Sequence, residues 1–198
     1  FDVSSIPLVA GWSMGALQAF HWAVAFPDMV QRILPWCGSA RCSVHNQVFL
    51  AGDEAALTAD PVYAEGHYDV PPVTGLRAFG RVYCGWAYSQ SFFRDALWPE
   101  LGFDTVEDLL SFWEEDHLAW DANDLLSKLR TWQGADVGKW RHTGGGFEQA
   151  LASIKARAIV MPSRTDLYFP PEDSTVEVRH MPNAELRVIE SVWGHCAG

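Results

Sequence analysis

A short apolar run, Pro7-Leu8-Val9-Ala10, gives way to a helix-patterned stretch from Ala16 to Phe26, and Gly11-Trp12-Ser13-Met14-Gly15 joins the two. A strand that turns into a helix over so few residues brings two backbones close together, and flanking glycines remove the side chains that would collide. The residue at the apex then projects away from the sheet. Ser13 is that residue, so its hydroxyl is a candidate nucleophile. The N–H of Met14, at the start of the helix, is a candidate donor to an oxyanion formed by attack on a carbonyl. The five-residue pattern alone says little, since Gly and Ser are common residues. Its context says more, because Leu17, Phe20, Trp22, Ala23 and Val24 recur at helical spacings until Pro27-Asp28 closes the helix. A structural serine at a Gly-rich turn is the competing account.

Arg32-Ile33-Leu34-Pro35-Trp36-Cys37 reads as a second buried strand ending at Gly38-Ser39, with Pro35 lowering its regularity. Strand, helix and strand with short connections predict a βαβ unit in a parallel sheet covered by helices. From residue 42 to 146 the texture turns helix-rich and Trp-rich, with no strand rhythm. This stretch is expected to be a helical cap inserted into an α/β core made of residues 1–41 and 147–198. Its clearest helix follows Thr105, whose capping partner is Asp108, with Val106, Leu109, Leu110 and Trp113 on one face. Its far face is acidic, with Glu107, Asp108, Glu114 and Glu115. A second helix carries Leu125, Leu126, Leu129 and Trp132 up to Gly134. Phe79, Tyr83, Trp86, Tyr88, Phe92 and Phe93 either pack the cap or line an acyl pocket, with packing the default. Arg77 and Arg81 are either surface cations or ligands for a carboxylate or phosphate. Gly144-Gly145-Gly146 lacks a following Gly-Lys-Ser/Thr and reads as a flexible return, not a phosphate loop.

The core resumes with a short helix from Phe147, a third strand around Ala156 to Pro162, and then Ser163-Arg164-Thr165-Asp166. That last stretch lies at a strand's carboxyl end, where open α/β sheets place their sites. Pro170-Pro171-Glu172-Asp173 opens a helix running to Met181, a fourth strand alternates from Ala184 to Ile189, and the chain then reaches His195. Ser13, Asp166 and His195 therefore each follow a strand, and together they suit acyl transfer. A serine hydroxyl needs an imidazole to take its proton, and the imidazole needs a carboxylate to fix its tautomer. His21 lies inside the first helix, too near Ser13, and His180 suits a helix end as a cation favourable to the dipole. Cys196 has no second histidine to activate it and reads as a neighbour of the base.

With 14 basic and 25 acidic residues the net charge is −11, which argues against nucleic acid or an anionic membrane as partner. The four cysteines, Cys37, Cys42, Cys84 and Cys196, show no C-x-x-C spacing and read as free thiols of a reducing compartment, hence a cytoplasmic protein. No His/Cys cluster with ligand spacing predicts a metal, and no apolar run reaches transmembrane length. Any targeting segment is expected to lie outside a sequence that opens on Phe1.

The order Ser, Asp, His is that of α/β-hydrolase triads. Gly11-Trp12-Ser13-Met14-Gly15-Ala16-Leu17-Gln18-Ala19, Gly38-Ser39-Ala40-Arg41 with His45-Asn46-Gln47, Asp121-Ala122-Asn123, Thr165-Asp166-Leu167-Tyr168-Phe169-Pro170 and Gly194-His195 resemble the homoserine O-acetyltransferase-like branch of the α/β-hydrolases. The resemblance spans nearly the whole chain. It implies ping-pong acyl transfer from acetyl-CoA as co-substrate, with no bound cofactor, through acyl-Ser13 to a small-molecule hydroxyl acceptor such as homoserine. It also implies a triad of Ser13, Asp166 and His195, and a homodimer formed through the helical cap. Two departures bear on the acceptor. Family acetyltransferases commonly carry glycine where this chain has Ala16, and an acidic residue, close to the homoserine amino group, where it has Cys196. Both move weight toward a carboxylesterase on the same scaffold, with water as acceptor. Against the family pattern the chain looks truncated at both ends, without the loop that gives the second oxyanion N–H, and it is expected to be inactive or unstable alone.

Overall fold

Four strands pair in the order β1 (Val9–Trp12), β2 (Arg32–Trp36), β3 (Arg157–Val160) and β4 (Ala184–Leu186), all of them parallel. This is the α/β sheet that the spacing of apolar runs predicts. The computed structural model describes residues 2–140 and 144–198, so residues 141–143 of the expected insertion fall outside it. The irregularity expected at Pro35 is visible in the ladder. β2 pairs with β3 at Arg32–Arg157 and Ile33–Ala158, then again only at Trp36–Met161. Pro35 has no N–H to donate, but its carbonyl accepts from Met161 at 3.0 Å, which keeps the register across the gap.

The chain divides into two compact units, Phe1–Cys42 with Ala135–Gly198, and Ser43–Gly134. Residues 135–140, on the inserted side of the boundary expected from sequence, group with the sheet. In this first unit α1 (Met14–Ala25), α7 (Phe147–Ala152) and α8 (Pro171–His180) accompany the strands. Phe20, Ala23 and Val24 of α1 share one core with Ile33, Ala158 and Val160 of the sheet and with Ala150, Leu151 and Met181. Burying a side chain such as Phe20 or Ile33 contributes about 1.5–3 kcal/mol. From α8, buried Glu177 reaches the segment after β2, where its Oε1 accepts the Ala40 N–H at 2.7 Å.

The second unit is entirely helical, with α2 (Val44–Thr58), α3 (Val73–Ala87), α4 (Gln90–Arg94), α5 (Val106–Leu118) and α6 (Ala122–Gly134). The capping box read from Thr105 and Asp108 opens α5. On its acidic face Glu107, Asp108 and Glu115 are exposed and Glu114 is buried. Glu114 is 8% exposed and accepts from Arg77 at 3.0 Å and from Arg81, which also bonds Glu107, while Arg77 reaches Glu115 at 2.6 Å. Arg77 and Arg81 are thus committed to tying α3 to α5, and neither is a solitary surface cation. The aromatic residues pack on one another, Phe79 stacking on Tyr83 at 5.4 Å and Tyr88 on Phe92 at 4.2 Å. Among the described residues no helix is long and apolar enough to cross a membrane.

Candidate active site

The turn after β1 has the strained geometry that a strand-to-helix apex demands. Ser13 adopts φ 58° and ψ −123°, a positive φ that costs a non-glycine residue energy and is held by its surroundings. Its N–H donates to Trp36 O at 3.1 Å, and its carbonyl accepts from Ala16 N at 2.9 Å. The glycines around it do different things. A Cβ at Gly11 would stand 2.2 Å from the Gly15 carbonyl oxygen, so only glycine lets strand and helix cross there. A Cβ at Gly15 would meet nothing within 4 Å. A Cβ at Gly38, just after β2, would come within 2.4 Å of the Ala16 Cβ, so the side chain that replaces glycine at Ala16 is accommodated by the glycine opposite. Met14 is the first residue of α1, and its N–H is one of the first-turn donors that lack an intrahelical acceptor.

Asp166 follows β3 and is 4% exposed. Its Oδ1 accepts from the Tyr168 and Phe169 N–H groups at 2.8 and 3.2 Å, which aims Oδ2 at His195 Nδ1, 2.8 Å away. A carboxylate only accepts, so Nδ1 carries the proton and Nε2 is left to accept. Nε2 lies 2.9 Å from Ser13 Oγ. The three residues singled out from sequence therefore converge in one hydrogen-bonded line, although 182 positions separate Ser13 from His195. His195 sits on a single 3-10 turn, Gly194–Ala197, entered through Gly194 at φ +68°. The other two histidines weighed above lie elsewhere: His21 Nδ1 is 2.8 Å from Leu17 O within α1, and His180 is 3.9 Å from Glu148.

Some neighbours of the site carried no signal in a linear reading. Thr165 Oγ1 donates to Ser191 O at 2.9 Å and accepts from Gly194 N at 3.0 Å, tying the loop of Asp166 to the loop of His195. Trp12 stacks on the His195 ring with centroids 4.9 Å apart. Cys37, fully buried, offers a sulfur that lies with one donor each from Asp166 and His195 inside 4.8 Å. That trio is a poor cation site, since the imidazole and carboxylate already share a proton and burial, with the nearby Asp166 charge, pushes the thiol up to about 12. A cleft of about 440 Å³ lined by Arg164, Thr165, Glu190, Ser191, Val192 and Trp193 adjoins these loops but includes none of the three converging residues.

No protein-family model matches the chain. Individual relatives do. A probable esterase of Corynebacterium glutamicum is 35% identical over 98% of this chain and 56% of its own length, and an ethyl acetate hydrolase of Pseudomonas veronii is 36% identical over the same shares. A homoserine O-acetyltransferase of Trichormus variabilis is 30% identical over 98% of this chain and 55% of its own. The crystal structure of an acetylester hydrolase from Corynebacterium glutamicum superimposes with a TM-score of 0.94, at 35% identity, over 98% of this chain and 56% of that one. The chain thus spans a little over half the length of the relatives it matches. Its relatives carry esterase and acetyltransferase names on one fold, and over almost its whole length the chain is similar to these esterases and homoserine O-acetyltransferases and shares the α/β-hydrolase fold.

Proposed function

We propose that the protein containing this chain transfers acyl groups through an acyl-Ser13 intermediate. The observation that carries this reading is the 2.9 Å approach of His195 Nε2 to Ser13 Oγ while Nδ1 is held at 2.8 Å by Asp166. In the proposed sequence Ser13 Oγ attacks the acyl carbonyl and its proton passes to Nε2. The Met14 N–H faces the oxyanion, and Asp166 stabilises the imidazolium. Collapse expels the alcohol or thiol, which takes the proton back from Nε2 and leaves acyl-Ser13. The acceptor hydroxyl then repeats the same proton path in reverse.

Two acceptors fit this scheme. Water, giving a carboxylesterase, is favoured by Cys196 beside the base, where no carboxylate is present to hold an amino group, and by the esterase names of the two relatives at 35% and 36% identity. A hydroxyl acceptor such as homoserine, with acetyl-CoA as donor, is supported by the acetyltransferase relative at 30%. The homodimer through the helical insertion and the cytoplasmic setting belong to this same reading. Intact mass after brief mixing with p-nitrophenyl acetate or acetyl-CoA, followed by homoserine, separates the two acceptors. Acetyl-Ser13 formed from the ester alone and discharged at the same rate with and without homoserine makes the protein an esterase, whereas faster discharge by homoserine makes it a transferase. Ser13→Ala is expected to abolish the mass increase and His180→Ala to leave it intact; equal loss in both would refute the assignment.

A further inference from the structure

The residue between Gly11 and Ser13 is bound to the base at two points. The indole of Trp12 lies nearly parallel to the His195 imidazole, with centroids 4.9 Å apart and planes 23° apart, and its Nε1–H donates to the His195 carbonyl oxygen at 3.3 Å. Tyr168 meets the same imidazole edge-on at 5.0 Å and Phe169 lies tilted at 5.6 Å. Both belong to the loop whose backbone N–H groups hold Asp166, so three aromatic rings contact the imidazole that Asp166 and Ser13 also reach. An aromatic face is negative at its centre and attracts a cation placed over it. The ring that faces Trp12 becomes a cation when it takes the serine proton.

We infer that Trp12 is a positioning residue for His195, which fixes the turn carrying the base through its N–H and favours the protonated imidazole through its stacked face. This rests on the reading of His195 as the base. The placement has a geometric logic, because Trp12 is the last residue of β1 and precedes Ser13, so one side chain ties nucleophile strand and base turn together. Around the imidazole the titratable groups are the Asp166 carboxyl, which bonds it, the Cys37 thiol, which the Trp12 side chain also hydrogen-bonds, and the Cys196 thiol that follows His195 and acts on Cys37. Leu and Phe both remove the indole N–H that also reaches Cys37, so a difference between these two variants reports the stacked face and not the thiol. Trp12 is itself 44% exposed, which makes its substitution mild for folding.

The test is the pH dependence of kcat/KM for p-nitrophenyl acetate in the full-length protein with Trp12→Leu or Trp12→Phe. Leu keeps apolar cover but removes the π face and the donor, whereas Phe keeps the face and loses only the donor. In Trp12→Leu the acid limb is expected to move to lower pH by about 0.4–1.5 units, the span of a cation–π contact. Its plateau is expected to fall roughly tenfold through kcat, with KM within about twofold. In Trp12→Phe the limb should stay near its original position with a smaller loss of rate. A Leu variant whose limb coincides with that of the parent, or Leu and Phe variants that lose rate equally with no movement of the limb, would reduce Trp12 to ordinary packing and overturn the inference. His195→Gln separates the two levels: an acid limb that persists unchanged in its residual rate means His195 is not the titrating base, and the proposed function fails with it.

Discussion

Thr165 stands beside Asp166 and joins two loops with one hydroxyl, donating to Ser191 O and accepting from Gly194 N. Valine has the same shape without the hydroxyl, so Thr165→Val leaves a carbonyl and an N–H without that partner while disturbing little else. The expected result is a fall in kcat of roughly tenfold with KM nearly unchanged, as a slight misplacement of the base would give. Thr165→Ser should recover most of it. Steady-state kinetics on the two variants decide the matter, and a valine variant with parental kcat would show that the tie is dispensable. Ser13, Asp166 and His195 could be read from the chain because each follows a strand, in a known order, and those signals are local. Thr165 and Trp12 could not, since their partners lie 26 and 183 positions away and a threonine or tryptophan in a loop has many ordinary uses. Cys37 was invisible as a neighbour of the site for the same reason.

On α3, two glycines five residues apart face opposite circumstances. A Cβ at Gly80 would stand 2.5 Å from the Trp113 carbonyl oxygen of α5 and 3.1 Å from His117 Nδ1, whereas a Cβ at Gly85 would meet nothing within 4 Å. Gly80 is the point at which the two helices touch backbone to side, and alanine there forces them apart at a cost of about 1–3 kcal/mol. Gly85→Ala only adds helix propensity and should stabilise by about 0.5–1 kcal/mol. Urea unfolding of the two variants should therefore give midpoints that move in opposite directions; shifts of the same sign would contradict the packing assigned to α3 and α5. The contrast also marks what could be read at this scale. The start of α5 was legible because Thr105 and Asp108 are neighbours in sequence, and the strands were legible as apolar runs. That Glu114 alone of its acidic face is buried was not legible, because the arginines that bond it come from α3, 33 and 37 positions earlier.

At the scale of the whole molecule two buried acids should make stability respond to pH. Asp53 on α2 is fully buried, neither carboxylate oxygen has a hydrogen-bond partner among the described residues, and burial raises it to about 8. Glu177 on α8, in the other compact unit, is raised to about 8, again chiefly by burial and despite the Ala40 N–H it accepts. Both are therefore neutral in the folded protein at pH 7 and ionised in the unfolded chain. Between about pH 4 and pH 8 the unfolded state binds fewer protons, so stability is greatest below the unfolded values and is lost as pH rises through the folded ones, on the order of 3–5 kcal/mol for each group. Self-repulsion at a net charge of −11 predicts the same direction, since any histidine that loses its charge adds to the excess. Salt tells the two causes apart. Repulsion between exposed charges is screened at high ionic strength, whereas the cost of ionising a buried carboxyl is not. Thermal unfolding followed from pH 5 to pH 9 at low and high salt should show a falling Tm in both. Asp53→Asn and Glu177→Gln should each flatten that fall, raising Tm near pH 9 by roughly 5–10 °C relative to the parent. Because the two groups belong to separate units, their effects should add. A fall in Tm that disappears in high salt and is untouched by either substitution would assign the whole dependence to surface charge and leave both acids without a part in it.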